Sequence, residues 1–226
     1  SPYTANRVLS LIKHIYAIAI KKGLMGGRSN PAGGIRKFTE QSRDRFLNGD
    51  ELKRFWTALG DVKNDVFKNY VMISLFTGMR RNNVLTMRWE HVDFASGLIY
   101  VPDSKGGQPL QIPMVNQVRE LLQKINHNKN FGWVLPSIKS KSGHLEDPKR
   151  PWQELLRNAE IENLRLHDLR RTMGSWQAIS GSSLPIIGKS LGHKSTSATQ
   201  VYSRLTVDPI RDSMQTATDK MLGFVE

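Results

Sequence analysis

The 226-residue chain contains no cysteine. That excludes disulfide frameworks, Cys-ligated zinc, iron–sulfur centres and thiol nucleophiles, and it suits a reducing compartment. Long apolar runs are missing too. The longest, Ile15 to Ile20, falls far short of the roughly 20 residues that cross a bilayer, and no charged leader with a small-residue cleavage site precedes it. The expectation is a cytoplasmic protein with no membrane partner. Acidic residues are scarce beside basic ones: 20 Asp and Glu against 33 Lys and Arg leave a net charge of +13. A surplus of this size points to a polyanionic partner, most simply nucleic acid, because each neutralised phosphate releases condensed counterions.

Several catalytic signatures are absent as well. Gly188-Lys189-Ser190 looks like the end of a phosphate-binding loop, but Ser183 stands where its first glycine is required. The six histidines form no HExxH pair, so neither a metal nor any other cofactor is expected. No Gly-x-Ser-x-Gly occurs, which removes the nucleophile elbow of the serine hydrolases.

What is present reads as mostly helix with one small antiparallel sheet, an α+β chain in two parts. Val8, Leu11, Ile12, Ile15, Ile18 and Ala19 fall on one face of an opening helix, with Ser1-Pro2 as cap and first turn. One amphipathic helix cannot bury its own stripe, so the chain is expected to be a fragment that lacks an N-terminal partner. From Gly26 to Arg45 the composition turns to Gly-Gly, Asn30-Pro31 and Gly33-Gly34 followed by basic residues, which reads as a linker. Residues 1–47 carry nine Lys or Arg against two acids, so this part is expected to touch phosphates. The second domain is placed at 48–226. It opens with Asn48 and Glu51 at capping-box spacing, before a helix through Phe55 and Trp56. A helix from Val66 to Phe76 should stop at Gly78, which puts Arg80 at a turn. Leu98–Val101 and Leu110–Ile112 read as a hairpin whose turn presents Lys105. Further helices are expected over Val115–Ile125, Trp152–Glu160, His167–Ile179 and Pro185–Leu191, with another through Tyr202.

Arg80, Lys105, His167, Arg170, His193 and Tyr202 thus lie at turns and helix starts. His167 and Arg170, three apart, can offer an imidazole and a guanidinium from one helix face, with Leu169, Met173 and Trp176 buried opposite. Taken singly each has an ordinary explanation: a solvated Arg, a capping His, a core Tyr. Taken together and in order they resemble the tyrosine recombinase (phage-type integrase) family. Thr77-Gly78-Met79-Arg80-Arg81 is similar to its first arginine box, and Ser104-Lys105-Gly106-Gly107 before Ile112-Pro113 to its hairpin lysine. Leu166-His167-Asp168-Leu169-Arg170-Arg171-Thr172 resembles the His-x-x-Arg box. Leu191-Gly192-His193, with Tyr202 nine residues later, resembles the last histidine and the nucleophile. The likeness covers roughly residues 48–205, and residues 1–47 are similar to the end of a core-binding domain and its linker. Asn83 departs from the pattern, since the family often has an acid three positions after the first arginine. An amide there can hydrogen-bond but brings no carboxylate charge.

The resemblance implies a site-specific DNA recombinase that cleaves and rejoins strands through a 3′-phosphotyrosyl intermediate, without metal or ATP, to integrate or excise a mobile element such as a prophage or genomic island. Tyr202 would be the nucleophile. A phenol with a pKa near 10 is only about one part in a thousand ionised at pH 7, so a base is needed, and His167 is the candidate. Arg80 and Arg170 would neutralise the charge growing on the non-bridging oxygens, His193 would bond the same phosphate, and Lys105 would protonate the departing 5′-oxygen. The family further implies attachment-site duplex DNA as partner, a homotetramer on it, accessory DNA-bending or directionality proteins, and a nucleoid-associated location. Ile210, Met214, Ala217 and Met221 share a face of a terminal helix that could dock on a neighbouring subunit, pack on its own domain or fray. Two other readings compete: a DNA-binding module without chemistry, and a metal-dependent nuclease.

Overall fold

The computed structural model describes residues 1–40, 43–102, 109–125, 132–205 and 207–223. These form two compact units, Ser1–Arg43 and Asp44–Glu226.

In the first unit, helix α1 spans Pro2–Lys21 with Ser1 as its cap. The segment read as a linker makes hydrogen bonds back to this helix. Asn6, buried, both accepts from the Phe38 N–H and donates to the Phe38 carbonyl, each at 2.8 Å. Lys13 Nζ donates to the carbonyls of Gly33 and Ile35 at 3.2 and 2.8 Å. The expected apolar stripe exists but is uncovered, with Val8, Leu11, Ile15 and Ile18 all exposed.

The second unit begins four residues earlier than the sequence suggested, because residues 44–47 are held by it. Leu47 is fully buried in its core; its N–H donates to Thr172 Oγ1 and its carbonyl accepts from Trp176 Nε1, both at 3.0 Å. Arg45 grips the Glu51 carboxylate. The Asn48–Glu51 capping box is formed in both directions and starts α2, Gly49–Gly60. Helix α3, Asp65–Thr77, ends at Gly78, whose φ of 60° is the left-handed conformation a C-terminal stop requires. Arg80 caps the short α4, Arg81–Leu85.

The sheet has three antiparallel strands rather than a hairpin alone. β1, Val92–Asp93, pairs Val92 with Ile99 of β2, Leu98–Val101, which in turn pairs Val101 with Leu110 of β3, Leu110–Pro113. Lys105 and the rest of the turn between β2 and β3 lie outside the described residues. Helices α5 (Asn116–Ile125), α6 (Lys149–Asn158), α7 (Asp168–Ile179) and α8 (Leu184–Leu191) follow. The expected helix through Tyr202 is instead two 3₁₀ turns, Thr196–Ala198 and Gln200–Leu205, before α9, Val207–Leu222. A run rich in Ser, Thr and β-branched residues competes with the α-helix through its side-chain hydroxyls, which accounts for the tighter turns.

Burial separates two hydrophobic clusters. The large one joins Phe55, Phe67, Tyr70, Ile73, Ile99, Leu122, Trp152 and Leu169, drawn from α2, α3, β2, α5, α6 and the start of α7. The small one consists of Ala178, Ile187, Leu191 and Tyr202, flanked by Met173, Leu184, Val201 and Leu205. Helix α7 contributes to both, so residues at its start and middle lie where the two clusters meet.

Candidate active site

Three chain reversals deliver the site. Gly78 ends α3 and hands the chain to Arg80; the loop before α7 presents His167; Gly192 ends α8 in the left-handed conformation and presents His193. Arg170, in the first turn of α7, is buried, and its guanidinium ties two of these reversals together. Nη1 donates to the Gly78 carbonyl at 2.8 Å and Nη2 to the Leu191 carbonyl. Arg80 Nη2 donates to the Gly192 carbonyl at 3.1 Å. A guanidinium has five N–H donors, so each arginine is oriented by the backbone and keeps donors for a ligand. Gly78 permits this closeness, because a Cβ there would lie 2.6 Å from Leu191 Cδ2.

The groups perturb one another's ionisation. Desolvation, then the charges of Arg170, Arg80 and His167, lower the pKa of His193 to about 4. Burial and the nearby Arg80 charge bring Arg170 down to about 10, so it remains cationic at neutral pH. The His167 side chain reaches solvent, yet partial desolvation, followed by the Arg170 and Arg171 charges, lowers its pKa as well. Both imidazoles are therefore neutral at pH 7, and a neutral imidazole has a lone pair with which to take a proton.

Tyr202 is buried and seated against α7. Its ring lies parallel to that of His193, with centroids 6.5 Å apart and planes 3° off. Beneath it is Gly174, where a Cβ would fall 2.5 Å from the tyrosine Cζ and 2.7 Å from its hydroxyl. Burial pushes the phenol pKa up, partly offset by Arg170 and Arg171. The resting site thus holds a neutral phenol beside a cationic cluster. Of the six residues singled out from sequence, Arg80, His167, Arg170, His193 and Tyr202 come together, and Lys105 lies outside the described residues. Met173 and Trp176 are half-buried, whereas Leu169 alone of the expected stripe is fully so. Gly174, Arg171 and Thr199 were missed. A glycine inside a strongly helical pattern was the one local signal available, since it costs about 1 kcal/mol relative to alanine and asks for a reason.

Asn83 is half-buried and lines a separate small cavity of about 190 Å³ with Arg88, His91, Tyr100 and Trp133. Among the described residues there is no cluster of three or more His, Asp or Glu side chains suited to a metal ion, and no helix long and apolar enough to cross a membrane.

A family model described as the phage integrase family matches residues 45–208. The chain belongs to that family. Among curated relatives, the prophage integrase IntF of Escherichia coli (strain K12) is 30% identical over 199 residues, covering 84% of this chain and 42% of the relative. The shufflon-specific DNA recombinase of Escherichia coli is 27% identical, covering 90% and 52%. This phage integrase family member thus spans about half the length of these relatives. In fold it is similar to a lambda integrase dimer bound to a COC′ core site, with a TM-score of 0.68 at 19% identity over 86% of this chain and 73% of that one. The Tn1549 transposon integrase in complex with transposon right-end DNA gives a TM-score of 0.74 at 17% identity, over 96% and 79%. The mainly helical architecture with a small antiparallel sheet is the tyrosine recombinase catalytic fold.

Proposed function

We propose that this chain is the catalytic part of a site-specific DNA recombinase that cuts and rejoins strands of duplex DNA through a covalent tyrosyl intermediate, in the service of a mobile element. The observation that carries the reading is the gathering of Arg80, His167 and His193, from three separate reversals, with Arg170 of α7, around Tyr202. Tyr202 Oη attacks the scissile phosphorus, forming a 3′-phosphotyrosyl bond and releasing a 5′-oxygen. Because burial favours the neutral phenol, the proton must be removed as the bond forms, and neutral His167 takes it. Arg80 and Arg170, already oriented, meet the charge that grows on the non-bridging oxygens with little reorganisation. His193 bonds the same phosphate. Lys105 protonates the 5′-oxygen, a role that rests on the family resemblance. A second 5′-hydroxyl reverses the sequence and reseals the strand.

Residues 1–47 supply basic contacts to the backbone as the end of a core-binding domain, with residues 48–226 as the catalytic domain. On its DNA the protein assembles as a multimer, for which the DNA-bound lambda integrase dimer is the support, and a tetramer on two duplexes is the full form of the reading. Accessory bending or directionality proteins and a nucleoid-associated location belong to the same proposal. The integrase and recombinase relatives favour chemistry over a binding module without it.

The test is covalent trapping. The chain is incubated with a pool of randomised duplexes carrying a nick that lets the cleaved fragment diffuse away. A denaturant-resistant protein–DNA adduct is expected in excess EDTA, lost in Tyr202→Phe while DNA binding persists. An adduct that survives the substitution overturns the assignment of Tyr202, and dependence on a divalent metal overturns the mechanism.

A further inference from the structure

Thr199 holds the ring of His193. Its Oγ1 lies 2.8 Å from His193 Nδ1, and the threonine side chain is almost fully buried, at 3% exposure. The 3₁₀ turn Thr196–Ala198 brings it there, and α8 covers it closely: a Cβ at Gly188 would sit 3.0 Å from Thr199 Oγ1.

A buried hydroxyl carries one proton, which needs an acceptor. Among the described residues, His193 Nδ1 is the acceptor within reach of this one. Were Nδ1 to carry the ring proton, it would donate to Oγ1, and the hydroxyl proton would face no partner. The satisfied arrangement therefore has Oγ1–H donating to an unprotonated Nδ1. Desolvation, and then the charges of Arg170, Arg80 and His167 that face it, keep the imidazole neutral, and its single proton then resides on Nε2.

We infer that Thr199 is a positioning residue that fixes His193 as its Nε2–H tautomer, making His193 a hydrogen-bond donor to a phosphate oxygen and not a second base. This rests on the recombinase reading for the identity of the acceptor, and it separates the two neutral imidazoles of the site by role. His167 has no such partner fixing its tautomer among the described residues and keeps the base function; His193 is committed to donation.

Two measurements test it. In the uniformly ¹⁵N-labelled full chain at pH 7, long-range proton–nitrogen correlations of His193 should show a protonated Nε2 and an unprotonated Nδ1. A protonated Nδ1, or equal averaging of the two nitrogens, overturns the inference. In the trapping assay, Thr199→Val should slow adduct formation roughly tenfold, equal to about 1.4 kcal/mol. It should also release His193 into a mixture of tautomers, while Thr199→Ser should cleave within about threefold of the parent. A folded Val variant that cleaves at the parent rate, or a Ser variant as slow as Val, overturns it equally. If Thr199→Val does not fold, the spectrum of the unaltered chain decides alone. Absence of any adduct from the unaltered chain would count against the recombinase reading and leave the tautomer result standing by itself.

Discussion

Replacing Gly174 with alanine should have opposite effects on stability depending on whether Tyr202 is present. The added methyl would lie 2.5 Å from the tyrosine Cζ, 2.7 Å from Oη and 2.9 Å from Cε1. Carbon atoms prefer about 3.5–4.0 Å, so the ring must withdraw by roughly 1 Å. It has little room, since Tyr202 is 4% exposed and packed with Ala178, Ile187 and Leu191. Overpacking of this kind costs about 1–3 kcal/mol. Against it stands the gain of about 1 kcal/mol when alanine replaces glycine inside a helix. The net change in the parent background is a loss of about 1 kcal/mol. In Tyr202→Ala the obstruction is gone and the helix preference remains, so the same substitution should stabilise by up to ~1 kcal/mol. Urea denaturation of the four proteins closes the cycle, with an expected coupling of about 1–3 kcal/mol. Adduct formation by Gly174→Ala should fall as well, because the phenolic oxygen moves with the ring. An effect of the same sign and size in both backgrounds would show that Gly174 is not the seat of the tyrosine.

Arg80→Ala should lower the rate of adduct formation by about 10²–10³, the usual cost of removing one preorganised donor, and leave the urea midpoint nearly unchanged. An Arg80→Ala variant with parent kinetics would remove that residue from the site. Because the folded-state pKa of His193 is about 4 against an ordinary 6.5, the unfolded chain binds the proton first, so stability should fall as pH drops from about 6.5 to 4. His193→Gln should flatten this part of the melting-temperature profile, with His167 leaving a residual slope of the same sign. Asn48→Ala should cost about 1 kcal/mol through loss of the capping box, read from the melting temperature.

Features governed by neighbours in sequence were legible; those governed by distant approach were not. The Asn48–Glu51 cap and the Gly78 stop depend on residues within a turn of each other, and both are found as expected. The strand Val92–Asp93 is two residues long, too short for any alternation to register. The linker boundary was drawn from composition, whereas the structure divides four residues earlier because Leu47 is claimed by Thr172 and Trp176, more than a hundred residues away. The site residues were recognisable from ordered motifs. What the motifs do not carry is how the groups are held: Arg170 was expected on an accessible face, and it is buried, its guanidinium bound to carbonyls at positions 78 and 191. Gly174 and Thr199 are ordinary residues in one dimension. They matter because a ring and an imidazole arrive against them from elsewhere in the chain.

The division of the interior into a large and a small cluster has a mechanical outcome. Arg170 is rooted where α7 meets the end of α3, whereas the Tyr202 ring is one of the four buried side chains of the small cluster. The same patch holds Leu191, whose carbonyl accepts from Arg170, and adjoins Gly192, whose carbonyl accepts from Arg80, so loosening it would also release backbone anchors of both arginines. The ring and the guanidinium groups beside it are thereby coupled: whatever disturbs the small cluster disturbs the arginines' footing too.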